Sequence, residues 1–174
     1  MGELFARCWS RTSVNSRAGS HMRESNTADQ LVAGDLVGTW RLRSWESREE
    51  DGSMLRPFGE EPVGYVVYTA DGRMITTISK TGRAAIGGDV LGGPAEARAA
   101  AFASFISYSG TFRVEGNDVI HSVEISLFPD WVGGEQRRHV QLSEDRNRLT
   151  LSTDPMPSAG RVSRHHLSWD RIEA

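Results

Sequence analysis

Two segments, Leu36-Val37-Gly38-Thr39-Trp40-Arg41-Leu42 and Leu167-Ser168-Trp169-Asp170-Arg171, constrain the fold more than any other part of the chain. A Gly-x-Trp at the head of a first strand, matched by an Arg near the end of a last one, points to a closed antiparallel barrel whose floor is plugged by an indole. Between these segments, strand-like runs recur between Gly, Asp and Asn signals at about 37–50, 63–70, 73–80, 108–115, 118–128, 135–143, 148–153 and 161–171. Asp71-Gly72 and Gly116-Asn117-Asp118 have the chemistry of tight hairpins, so neighbouring runs pair antiparallel. The expected fold is all-β, an eight-stranded antiparallel up-and-down barrel.

One stretch breaks the pattern. Residues 94–106 are Ala-rich, open with Pro94 at a first helical position, and place Phe102, Phe105 and Ile106 on one face, which predicts a single inserted helix. The Gly-rich residues 82–93 before it are expected to be a mobile loop. Helix and loop suit either a lid over one mouth or a position on the outer wall. Residues 155–160 read as the last loop.

The 174 residues, 38% of them hydrophobic, are enough for one domain with a sizeable core. A net charge of −3 argues against a nucleic-acid partner, because phosphate binding needs a concentrated basic face and the one strong basic pair, Arg137-Arg138, lies in a strand pattern. No run approaches the roughly 18 apolar residues of a membrane span, and residues 1–18 lack the apolar centre of a signal peptide. A cytoplasmic protein without a membrane partner, monomeric or homodimeric, is the expectation. Cys8 is the only cysteine, which leaves no disulfide or thiolate metal cluster within one chain. Residues 19–22 read Gly-Ser-His-Met, so residues 1–21 are taken as an expression-tag remnant, the competing reading being a native disordered arm. Residues 22–35 form a flexible lead-in and 36–174 a single barrel domain.

Register in the hairpin over residues 118–144 decides which side chains face inward, since a one-residue slip turns every side chain over. Pairing Leu127 with Gln136 sets Ile125 opposite Arg138, Val123 opposite Val140 and His121 opposite Leu142 on a mostly apolar face. The other face then pairs Phe128 with Glu135, Ser126 with Arg137, Glu124 with His139 and Ser122 with Gln141, a mixture suited to solvent. His121, Gln136 and Arg138 therefore point into the barrel, as does His165, which shares a face with Leu167 and Trp169.

At this point the chain resembles a family, the lipocalin-like domain proteins, small bacterial and fungal members of the calycin group. The resemblance rests on Val37-Gly38-Thr39-Trp40, Pro62-Val63-Gly64 followed by residues 68–74, Tyr108-Ser109-Gly110-Thr111-Phe112, His121-Ser122-Val123-Glu124, residues 126–133, Gln136 with Arg138, and residues 167–171. It implies a lipocalin-like barrel open at one end, with a small-molecule site and no single reaction.

The candidate catalytic residues are His121, which would move a proton, and Arg138 with Gln136, which would hold an oxygen where negative charge develops. Tyr68, Tyr108, Trp131, Met74, Phe112 and His165 are the candidate ligand-binding residues. Six of them have a structural alternative: packing for Tyr68, Tyr108 and Met74, loop anchoring for Trp131, a satisfied interior imidazole for His121, and for Arg138 an internal ion pair with Glu46. His165-His166 is not a metal dyad, because adjacent strand residues point to opposite faces. No cofactor or metal is expected. Three functions are open: a cofactor-independent isomerase or cyclase acting on a hydrophobic oxygenated molecule in natural-product biosynthesis, a non-catalytic carrier or sensor of such a molecule, or an interaction module whose cavity is filled.

Overall fold

The computed structural model describes residues 30–89, 92–158 and 160–172. The stretch 1–21 lies outside these residues, as does most of the lead-in. The end of that lead-in is ordered as one helical turn, α1 (Ala33–Leu36), where Val32 N–H donates to Asp35 Oδ2 at 3.0 Å and Leu36 is fully buried.

Then follow β1 (Gly38–Glu49), β2 (Met54–Leu55), β3 (Val63–Tyr68), β4 (Arg73–Ser79), α2 (Ala95–Ala103), β5 (Phe105–Glu115), β6 (Asp118–Ser126), β7 (Glu135–Leu142), β8 (Arg148–Ser152), β9 (Met156–Ser158) and β10 (Arg161–Arg171). Eight of these strands form one antiparallel sheet in the order β1-β3-β4-β5-β6-β7-β8-β10, and β10 pairs back onto β1 to close the barrel. The two-residue β2 and three-residue β9 add to β1 and β10. β9 occupies the stretch read as the last loop.

The head and tail segments meet as expected. Trp40 lies opposite Arg171 in the β1–β10 ladder, with the guanidinium 4.0 Å from the indole centroid. Arg171 donates to the carbonyls of Val37, Asp35 and Arg146 at 2.8, 2.7 and 3.0 Å, and Trp40 Nε1–H donates to the Leu36 carbonyl at 2.8 Å. One side chain thus ties the turn before β1 to the turn before β8 across the barrel floor. Gly38 is required beneath it: its φ is +135°, and a Cβ there would sit 2.9 Å from Arg171 Nη1.

Alternation of inward and outward side chains is broken by two bulges. In β1 the register shifts at Arg43, so that Trp40 and Leu42 give way to Trp45 and Ser47 on the inner face. The β5–β6 ladder shifts at Glu124, opposite Gly110, whose Cβ would collide with the Ser122 carbonyl at 1.9 Å.

The β6–β7 hairpin register also differs from the expected one. β6 and β7 pair His121 with Gln136, Val119 with Arg138, Ser122 with Glu135 and Asp118 with His139. His121 therefore does not face Leu142, nor Glu124 His139. The ladder closes at Val123, which exchanges backbone hydrogen bonds with Gly133 and Gly134, and the remainder of β6 pairs with β5 alone. Ile125, expected inside, is 69% exposed, and Glu124 pairs across the surface with Arg73 at 2.6 Å. The slip is an even number of residues, so His121, Gln136 and Arg138 keep the inward face.

The inserted helix is also shorter than the sequence predicts. Phe105 and Ile106 belong to β5, paired with Ser79 and Ile78, and α2 buries none of its residues. Aromatic and β-branched residues pack well on a pleated sheet, and here ladder formation outcompetes continuation of a helix. Arg83 in the loop before α2 donates to the Ala101 carbonyl and to Ser104 Oγ, fastening loop to helix end.

Arg171→Met is expected to cost about 2–4 kcal/mol, from lost charge-assisted bonds and the carbonyls left behind, and Gly38→Ala about 1–3 kcal/mol from backbone strain. Urea unfolding checks both, and wild-type stability in the two variants would remove the floor from the account of closure.

Candidate functional site

Above the floor the barrel encloses a cavity of about 350 Å³, open at the end where β1 finishes and β5 begins. Its wall is mostly apolar: Trp45, Val66, Ile78, Ile106, Leu151, Leu167 and Trp169 line it, with Phe128, Trp131, Met156 and Pro157 near the rim. The polar groups on that wall are Thr76, Tyr108, His121, Arg138, Thr153 and His165. Such a surface with a few convergent polar groups is the usual form of a small-molecule site.

His121 is 1% exposed and bonded at both ring nitrogens, Nε2 to Tyr68 Oη at 2.8 Å and Nδ1 to Tyr108 Oη at 3.0 Å. Burial, reinforced by the nearby Arg138 charge, lowers its pKa from 6.5 to about 3, so the ring is neutral at physiological pH. A neutral imidazole has one donor and one acceptor, which fixes the direction of the chain. Among the described residues Tyr68, also 1% exposed, has His121 as its hydrogen-bond partner; its O–H must donate to Nε2 or be left buried without an acceptor. Nδ1–H then donates to Tyr108 Oη. Arg138, a donor only, also stands against that oxygen. Tyr108 Oη accepts from His121, which leaves its own O–H free for a ligand in the cavity that Tyr108 lines.

Burial raises both tyrosines above the ordinary phenol range, Tyr68 strongly; for Tyr108 the Arg138 charge and hydrogen bond work in the opposite sense. The guanidinium is fixed by donation to the Arg137 carbonyl at 2.7 Å and to Gln136 Oε1 at 3.2 Å. Among the described residues no carboxylate pairs with it. Glu46, the partner expected from sequence, binds Arg48 at 2.8 Å and stands 3.9 Å from Arg56. His165 accepts a hydrogen bond from Trp45 Nε1 at 3.1 Å, and its pKa is lowered by burial and then by Arg138.

The structure therefore brings Tyr108, Trp131, His165, His121 and Arg138 to the cavity wall, with Tyr68 and Gln136 directly behind, bonded to His121 and Arg138. Met74 and Phe112 lie elsewhere. Both are buried in the core below, where Phe112 packs edge-on to Tyr68 at 4.8 Å. Trp131 sits in a 3-10 turn (Pro129–Trp131) and packs edge-on against Tyr108 at 5.5 Å and Phe128 at 5.6 Å. No residue of α2 lines the cavity; Phe102 and Ala103 border a separate shallow apolar groove at the rim.

Comparison with known proteins agrees with this geometry. The model of the lipocalin-like domain matches residues 37–172. The chain belongs to the lipocalin-like domain family. A relative, the 4'-hydroxy-3'-methoxypropiophenone carrier protein ppsC of Aspergillus oryzae, is 35% identical over 95 residues, covering 49% of this chain and 84% of that protein. No solved structure matches the chain. Family and relative together support small-molecule binding in the barrel. No helix among the described residues is long and apolar enough to cross a membrane.

Sequence reasoning missed Trp45, Thr76, Thr153, Met156 and Pro157 on this lipocalin-like wall. Thr76 was legible, since it lies between Met74 and Ile78 on one face of β4. Trp45 was hidden by the bulge at Arg43. Met156 and Pro157 arrive through the loop after β8, where Asp154 binds His139 Nε2 at 2.9 Å while Asp118 binds its Nδ1 at 2.8 Å.

Because the folded state resists protonating His121, its contribution to stability is full above pH 6.5 and is lost as the pH falls from 6.5 toward about 3. His121→Asn should flatten that part of the stability profile relative to wild type in urea titrations across pH. Tyr68→Phe should cost about 1–2 kcal/mol by orphaning Nε2, and no loss in urea unfolding would remove this hydrogen bond from the account of the buried cluster.

Proposed function

We propose that this barrel carries a small, largely apolar molecule bearing an oxygen acceptor, an aryl ketone being the class that suits the wall. The observation that carries this reading is His121 held between two tyrosines, an arrangement that leaves the Tyr108 O–H free for a ligand in a mostly apolar cavity. An oxygen of the ligand accepts from Tyr108 and Arg138, while the ring packs among Trp45, Ile78, Leu151 and Trp131. The carrier relative, whose name specifies an aryl ketone, supports the same class.

The same wall has the parts of a cofactor-independent isomerase or cyclase, with Arg138 and Gln136 at a developing oxyanion and His121 as proton carrier. A pKa near 3 and two tyrosine bonds oppose proton uptake by His121 at neutral pH. Carriage is therefore the favoured reading.

4'-Hydroxy-3'-methoxypropiophenone should quench the cavity tryptophans in a saturable manner, and Tyr108→Phe should weaken its binding by about tenfold, the equivalent of one hydrogen bond. Mass spectrometry after prolonged incubation should recover the ketone unchanged. Failure to bind would overturn the carrier reading, and a converted product would replace it with the enzymatic one.

A further inference from the structure

We propose that Arg138 selects the ionised form of an acidic oxygen, so that the cargo is held as a phenolate, enolate or carboxylate instead of as a neutral molecule. The inference rests on the carrier reading and refines it. It begins from charge balance on the cavity wall. Among the described residues Arg138 is the cation there; it donates to a backbone carbonyl and an amide oxygen and stands beside the Tyr108 phenol, none of them charged. An arginine does not neutralise itself by losing its proton.

The other titratable groups facing it are Tyr68, Tyr108, His121 and His165, and each is held in its neutral form at physiological pH. The surrounding carboxylates are engaged elsewhere on the barrel: Glu46 with Arg48, Asp118 with Arg137 and His139, and Asp154 with His139. Among the described residues, the cavity wall therefore presents a positive charge with no carboxylate partner beside an apolar surface. Most interior arginines are matched by a carboxylate of their own chain; here the missing partner is left for the ligand.

Geometry favours an oxygen anion over any other. Arg138 and Tyr108 both line the cavity and the guanidinium stands beside the phenol, so a single ligand oxygen can accept a charge-assisted bond from Arg138 and a further one from the Tyr108 O–H. His121 cannot compete for the acidic proton, and the proton leaves to the solvent when the ligand binds. Gln136 acts as a positioning residue, its Oε1 holding Nη2 in place.

A matched pair of probes tests this: 4'-hydroxy-3'-methoxypropiophenone, whose phenolate absorbs at longer wavelength than its phenol, and its methyl ether 3',4'-dimethoxypropiophenone, which has no acidic proton. Titrated across pH with the full chain, the bound phenol should ionise at least about one pH unit below the free one, a tenfold preference for the anion. Arg138→Lys should retain most of the shift and Arg138→Met should return the midpoint to that of free ligand. If the ether binds but the bound phenol ionises at or above its free midpoint, the charge inference falls and the carrier reading stands. If neither probe quenches the cavity tryptophans, both fall. A shift that survives Arg138→Met overturns the assignment to Arg138.

Discussion

The β1–β10 closure underlies everything else in this molecule. Each of the eight barrel strands has two hydrogen-bonded neighbours only because the first and last strands find one another, and Arg171 marks where they do. Its guanidinium lies on the Trp40 indole and binds three carbonyls from two separate turns, so the charge is neutralised by dipoles instead of by a carboxylate. That arrangement seals the floor and leaves the other end open. The cavity exists because one end is filled with Trp40, Leu36, Tyr68 and Met74 while the other end has its rim of Trp131, Phe128 and Pro157.

The barrel's two central arginines contrast in a way that explains their different roles. Arg171 spends its donors on backbone oxygens at a packed floor. Arg138 also binds a backbone oxygen, but its guanidinium reaches the cavity wall, where Tyr108 and His121 respond to its charge. His121 is linked to this wall as a neutral spacer: it accepts from Tyr68, donates to Tyr108, and passes the orientation of a fully buried hydroxyl to one that faces the cavity. Preorganisation of this kind lowers the cost of ordering the donors when a ligand arrives.

Much of the fold was legible in the residues themselves. Turn signals at Asp71-Gly72 and Gly116-Asn117 and the alternation of Val66, Tyr68, Met74 and Ile78 are local properties, and local chemistry fixes hairpins and inward faces. The inward placement of His121, Gln136 and Arg138 survived an incorrect register because the slip was even. Two further failures depended on a bulge: the exposure of Ile125 and the appearance of Trp45 on the inner wall. A bulge inserts a residue into one strand in response to its neighbour's backbone, as Glu124 does opposite Gly110, so neither strand announces it alone.

The sequence by itself determined that this chain closes into an eight-stranded lipocalin-like barrel with an Arg and a His inside, because periodicity, turn chemistry and the Gly-x-Trp opening are written in consecutive residues. Tertiary structure alone decided that Tyr68 and Tyr108, brought from β3 and β5, bracket one imidazole, and that Arg138 meets a phenol while Glu46 pairs on the outside. Those facts are set by strand register and sheet curvature across the whole barrel. They fix the protonation state and donor direction of the site, and through them the chemistry of what it holds.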